Sequence, residues 1–189
     1  MAGNDTTLAS VGKPVAAGAL YYAPIETTVP VDATTDLPET FIKLGYCSDD
    51  GLESGFDDEK TEINAWGGDL VISVRKSRKE TQKFTLLQTL DIDVQKFLMG
   101  DANVTGTADA FAVKHNNIDN PRVVWVAEIA MTGGRVRRIV VGQGQVSELE
   151  SVKYSDGDAV GHGVTLACFP DSDGNTAVEY TAKIVVPTP

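Results

Sequence analysis

The sequence predicts a mainly β fold, a two-sheet β-sandwich or barrel-like arrangement with one flanking α-helix and long loops. Three observations carry this reading. Apolar and β-branched segments recur at roughly the 8–12-residue spacing of all-β domains. Turn dipeptides such as Gly133-Gly134 and Asp173-Gly174 stand between several of them. Only one stretch changes to a helical period.

That stretch organises the chain. Thr81 to Thr89 reads as a strand, with threonines suited to a pleated surface. Asp91 then supplies an N-cap, because its carboxylate can accept bonds from the free N–H groups of a first turn. Val94, Phe97 and Leu98 fall at i, i+3 and i+4 and share one face. Gly100 stands where a helix commonly ends left-handed. A short helix fed directly by a strand is expected to pack its Val94, Phe97 and Leu98 face on the sheet.

The other elements follow in order. Residues 1–20 are small and polar with neither period, and read as an N-terminal arm without a core of its own. Residues 21–189 are expected to form a single domain. Leu20 to Ile25 is a first strand. Glu26 to Pro38 is an extended loop, since Pro30 and Pro38 forbid a helix. Phe41 to Tyr46 is apolar enough for a buried strand. Cys47 to Glu62 reads as an acidic loop, with seven carboxylates in sixteen residues and turn signals at Asp50-Gly51 and Ser54-Gly55. Trp66 reads as a core or interface anchor. Leu70 to Val74 alternates as a strand, and Arg75 to Lys83 reads as a basic hairpin or loop tip. After Gly100, Ala110 to Lys114 is a short strand. Arg122 to Met131 is apolar on both faces, which predicts a strand covered on two sides. Val136 to Val141 and Gln145 to Tyr154 are two strands with Gly142 and Gly144 between them, a bend or bulge. Val164 to Phe169 and Thr176 to Val186 are expected to form a hairpin across Pro170 to Asn175. In the last strand Val178, Tyr180, Ala182 and Ile184 are expected inward.

Composition narrows the function. A formal charge of −11 argues against tight wrapping of nucleic acid, since phosphates would be repelled. It leaves room for DNA passing nearby. No apolar run reaches the ~18 residues of a membrane-spanning helix. The N-terminus has neither basic nor apolar signal-peptide regions, so Cys47 and Cys168 are expected to be reduced thiols. His115 and His162 have no metal-ligand spacing. Asp171, Asp173 and Asn175 resemble a calcium loop, but Gly174 is misplaced and Ala182 is no ligand, so a turn is expected. No nucleophile elbow, zinc-protease helix or phosphate loop occurs. No catalytic residue, metal or cofactor is expected, and the pattern favours assembly over catalysis.

The segment from about Phe41 to Gly100 resembles the major tail, or tail tube, proteins of long-tailed bacteriophages, especially those of actinobacterial hosts. The resembling residues are Leu44-Gly45-Tyr46, Ser48-Asp49-Asp50-Gly51-Leu52, Ile63-Asn64-Ala65-Trp66-Gly67, Val74-Arg75 and Phe84-Thr85-Leu86-Leu87-Gln88-Thr89. They occur in that order, with Gly100 closing the helix. Gln88 stands where the family often carries an acid. The resemblance implies a two-sheet tail-tube fold with one flanking helix. It implies a structural virion protein whose hexameric rings stack into a tube through which viral DNA passes to the host. It further implies self-association, contacts with tape-measure and tail-terminator proteins, no membrane, and assembly in the bacterial cytoplasm. The C-terminal immunoglobulin-like domain of many relatives is not expected within these 189 residues.

Two competing readings remain at this stage, a monomeric carbohydrate-binding or adhesion module and a small β-fold hydrolase. The tube reading makes specific expectations. Asp49, Asp50, Glu53, Asp57, Asp58, Glu59 and Glu62 of one subunit should meet Arg75, Lys76, Arg78, Lys79 and Lys83 of a neighbour. Glu148 and Glu150 are the candidates for the lumen wall.

Overall fold

The computed structural model describes residues 4–15 and 19–184. In chain order the strands begin with β1 (Gly12–Pro14), β2 (Leu20–Pro24), β3 (Ile42–Lys43), β4 (Cys47–Asn64) and β5 (Leu70–Leu86). The helix α1 (Ile92–Met99) follows, then β6 (Val104–Thr107), β7 (Ala110–Val113), β8 (Val123–Met131), β9 (Arg135–Leu149), β10 (His162–Cys168) and β11 (Val178–Lys183). Nine strands form one antiparallel sheet with the central order β3-β2-β8-β9-β10-β5-β4. β1 adds to β8, and β11 adds to β9. β6 and β7 make a separate two-stranded sheet.

The large sheet curls around its helix. Phe97 of α1 lies 5.1 Å from the ring of Tyr22 on β2 and 6.4 Å from that of Phe84 on β5. Three strands, β8, β9 and β10, separate β2 from β5 in the hydrogen-bond order. At ~4.8 Å per strand a flat sheet could not bring both rings to one side chain. The enclosed core gathers Leu20, Leu44, Phe84, Leu86, Trp125, Val141 and Leu166 with Val94, Phe97 and Leu98 of the helix. A second cluster, with Tyr21, Phe41, Val124, Val126 and Val140, lies on the opposite face of β2 and β8. β8 is therefore covered on both sides, as its sequence, apolar except for Glu128, predicts.

The loop 25–41 closes over that second cluster through Leu37 and Phe41, and buries its own Ala33. Buried Arg138 holds it, donating from Nη1 to Asp32 O at 2.8 Å and from Nη2 to Thr35 O at 2.8 Å. The Arg138 Nε also donates to Glu128 at 2.9 Å, so the buried guanidinium is matched by a carboxylate.

The helix has the predicted boundaries. Asp91 Oδ1 accepts from Asp93 N at 2.9 Å, and Gly100 closes the helix at φ 83°. Asn103 Nδ2 donates to Met99 O, and Asn120 Nδ2 donates to Leu98 O, so side chains meet carbonyls the last turn leaves free.

Several expectations are corrected. The acidic segment Cys47 to Glu62 is no loop; it is most of the 18-residue strand β4. Arg75 to Lys83 is no hairpin tip; it lies inside the 17-residue strand β5. The real tip is Ala65–Asp69, closed by Ala65 N to Asp69 O at 2.8 Å, with Gly67 and Gly68 at positive φ. Trp66 sits there fully exposed, at 107% relative accessibility, and is no part of the core. The strand into the helix ends at Leu86, and only Ile42–Lys43 of the predicted Phe41–Tyr46 strand pairs. The arm is not wholly loose, because β1 pairs with the end of β8, Gly12 opposite Met131. Residues 1–3 and 16–18 of the predicted arm lie outside the described residues.

The two predicted strands around Gly142 and Gly144 are one strand, β9, with a bulge. Val123 faces Gly144 while Trp125 faces Val141, so β9 carries one extra residue there. β10 and β11 form no hairpin with each other; both pair with β9, one after the other along it. The connection is closed on Asp171, whose Oδ1 accepts from Asp173 N at 2.9 Å and Asn175 N at 2.8 Å. Val178, Tyr180 and Ala182 are half-buried as expected, but Ile184 is exposed; the predicted end at Val186 lies outside the described residues.

Candidate assembly surfaces

The charged segments predicted to face each other across subunits lie side by side within one chain. β4 and β5 form a long hairpin in which Glu53 faces Lys83, Asp57 faces Lys79 and Asp58 faces Arg78. Diagonal ion pairs join Arg75 to Asp58 at 3.3 Å and Lys76 to Glu59 at 3.5 Å. Arg78 stacks over the Phe56 ring at 5.1 Å. Asp49, Asp50 and Glu62 also lie on β4. These pairs are exposed, so each contributes only about 0–1 kcal/mol.

The hairpin has two different halves. Its base pairs with β10, from Leu86 opposite His162 to Glu80 opposite Cys168. Beyond Glu80 no third strand joins it among the described residues, and the ribbon runs on alone. Its outer part exposes Ile63, Trp66, Leu70, Val71, Ile72 and Val74. Ile63 faces Ile72, and Thr61 faces Val74, so Ile63, Ile72 and Val74 share one face, and Val71 lies on the other. Sequence reasoning found the strand over Leu70 to Val74 but missed that the charged segments on either side are strand too, because a charged strand exposed on both faces has no hydrophobic alternation. Gly67-Gly68 between two β-branched runs was the available signal.

A second surface lies on the base of the hairpin and the strands beside it. Glu148 on β9 faces Thr165 on β10, which faces Lys83 on β5, which faces Glu53 on β4. The four residues form one cross-strand row on the side opposite Phe84, Leu86, Val164 and Leu166. Glu150 follows β9 and donates its backbone N–H to Gly163 O at 2.9 Å. Its carboxylate lies over Gly163, leaving no room there for a Cβ. Since residues 163 and 165 project to the same side, Glu148 and Glu150 share this face. Lys79 and Asp57 extend it along the ribbon. The result is an open trough with a small-residue floor that includes Gly55, Thr81 and Ala167.

Elsewhere, Val94, Phe97 and Leu98 are buried against the sheet, as their spacing predicts. Cys47 and Cys168 are free, and burial pushes their thiols up to about 11 and about 12, which keeps both protonated at neutral pH. Burial also lowers the His162 imidazole, whose Nε2 lies 3.3 Å from Gln95 Nε2 on the helix. Among the described residues, no group of three His, Cys, Asp or Glu side chains is arranged to hold a metal ion. No described helix is long and apolar enough to cross a membrane.

Comparison with known proteins adds the family. No curated protein matches the chain. Among solved structures, the tube-terminating cap of the anti-feeding prophage, determined by cryo-electron microscopy, aligns over 91% of this chain and 94% of its own at 10% identity. Its TM-score is 0.40, and at that level the likeness carries no argument. The family model for phage tail tube protein matches residues 1–188. The long charged hairpin, the polar sheet face and the helix-packed core are thus features of a structural phage-tail subunit, and the chain belongs to the phage tail tube protein family.

Proposed function

We propose that this chain forms hexameric rings that stack into a tail tube, and that the polar face carrying Glu148 and Glu150 lines the lumen through which viral DNA passes. The observation that carries the reading is the two-sidedness of the β9-β10-β5-β4 region. One side is buried against α1, and the other is polar and open. That open side presents Glu53, Asp57, Glu148 and Glu150 against Lys79 and Lys83. A wall on which carboxylates outnumber ammonium groups offers DNA phosphates no net attraction, so DNA can slide. The role is structural rather than catalytic. Assembly takes place in the host cytoplasm, with tape-measure and tail-terminator proteins as the further partners.

The test is electron microscopy of concentrated purified protein. Rings of six and stacked tubes are expected, with Glu148 and Glu150 at the inner radius. A sharp monomer at every concentration and salt condition overturns the assembly reading. Tubes with these glutamates at the outer radius overturn only the lumen assignment.

A further inference from the structure

We propose that His162, Gln95 and Thr89 form an acid-sensitive lock, in which the neutral His162 ring ties the start of β10 to α1 and protonation of that ring frees the helix from the β10 entry. The inference concerns the folded subunit and does not depend on the tube reading.

Three elements meet at one buried amide. Gln95 stands on α1 and is buried with Val94, Phe97 and Leu98. Its Nε2 donates at 2.7 Å to Thr89 O, in the linker from β5 to α1, and lies 3.3 Å from Nε2 of His162. His162 is the first residue of β10 and pairs with Leu86, the last residue of β5. Thr89 fixes which way the amide points. A turned amide would set Oε1 against the Thr89 carbonyl oxygen, two acceptors with no hydrogen between them. With the NH2 so directed, one hydrogen goes to Thr89 and the second to His162. The His162 Nε2 is then an acceptor, which requires a neutral ring with its proton on Nδ1.

Protonation removes that acceptor. An N–H on Nε2 faces an N–H of the amide, and each way out costs the lock a bond. If the ring swings away, β10 loses its tie to α1. If the amide turns, the Thr89 carbonyl loses its donor. The ring is half-buried, so a route to water is open. A hollow lined by Leu87, Thr89, Ile92 and Val160 adjoins the lock and gives the freed segments room. The ionisable groups on the surrounding elements are otherwise engaged or turned away. On the helix, the Asp91 carboxylate caps the first turn, and Asp93 pairs with Lys96. Cys47 on β4 is a protonated thiol. Lys83, Glu148 and Glu150 lie on the far face of the sheet. Burial is what lowers the ring from its ordinary 6.5. A group lowered on folding stabilises the native state above its ordinary value, and that contribution is lost as pH falls through the folded value. Acid therefore opens the lock.

Nuclear magnetic resonance of the full chain at low concentration tests this, since His115 and His162 are its two histidines and His115 is exposed. The neutral His162 ring should carry its proton on Nδ1 and should titrate below 6.5. A ring protonated on Nε2 when neutral, or titrating at or above 6.5, overturns the lock. Hydrogen exchange, corrected for the intrinsic pH dependence, gives the second readout. Protection of the Gln95 and Phe97 amides should fall at least about tenfold as pH drops through the His162 titration, while β8 amides keep theirs. Helix amides that stay protected overturn the release. His162→Asn offers an acceptor that does not titrate and should abolish that fall; the same fall in this variant also overturns the proposal. Gln95→Glu places a carboxylate beside the ring and should raise its titration above 6.5, reversing the sign. An unmoved titration in the folded variant speaks against the contact and overturns the lock. If either variant fails to fold, the tautomer, titration and exchange of the parent decide.

Discussion

At the scale of single residues, burial separates side chains that look alike in the sequence. Trp125 is completely buried against Phe84, with ring centroids 5.5 Å apart, whereas Trp66 stands free at the hairpin tip. Phe97 is 4% exposed and touches rings from both ends of the curled sheet. Phe97→Ala should therefore cost about 3–5 kcal/mol, read by urea unfolding. Trp66→Ala should leave monomer stability within about 0.5 kcal/mol of the parent. Asp32 adds a pH-dependent contribution. The Thr35 hydroxyl, with the backbone N–H groups of Thr35 and Thr34, holds its carboxyl down to about 2 from an ordinary 3.8. A carboxyl lowered on folding stabilises the native state above its ordinary value. That contribution is lost as pH falls through the folded value. Asp32→Asn should thus narrow its melting-temperature gap to the parent between about pH 4 and pH 2. A gap constant across that window would show that the loop is held without the carboxylate.

At the scale of elements, α1 and the β4–β5 hairpin are stabilised in opposite ways. The helix is short, eight residues, and depends on its packed face and its cap. Asp91→Ala should cost about 1 kcal/mol in chemical denaturation, because a first-turn donor loses its acceptor. The helix was legible in the sequence: cap, apolar spacing and terminal glycine are all local signals. The hairpin was not. Only Leu70 to Val74 of its outer part alternates, and it lies within β5 as expected; the charged residues are exposed on both faces, so no alternation marked them as strands. Asp50-Gly51 and Ser54-Gly55 lie inside β4, although both dipeptides ordinarily mark turns. Gly51 keeps the positive φ of a turn glycine, 78°, where the pairing of β4 slips between Cys47 and Leu52.

At the scale of the whole molecule, the acidic and basic segments lie side by side in one ribbon. Within a chain they stabilise a ribbon through exposed pairs. In the proposed rings, any exposed charge pair between subunits, worth about 0–1 kcal/mol, would repeat at every contact and along a tube. At 1 M salt the Debye length is about 3 Å, so tube growth followed by light scattering should slow as salt rises. Growth unaffected by salt would mean that apolar contacts dominate the association.

Some features depended on sequence alone because their causes are local. The β-rich class, the helix with its Val94, Phe97 and Leu98 face, the two-sided burial of β8 and the bulge near Gly142 all follow from neighbouring side chains. The similarity between Phe41 and Gly100 likewise pointed to the tail-tube family before any fold was visible. Tertiary structure decided which segments meet. The acidic segment became a strand because a basic strand lies alongside it through seventeen residues of β5. Glu148, Thr165, Lys83 and Glu53 became one polar row because β9, β10, β5 and β4 are adjacent in the sheet, though far apart in the chain. Pairing across such distances depends on which strand edges remain free once the rest of the sheet has formed, and no local period encodes that.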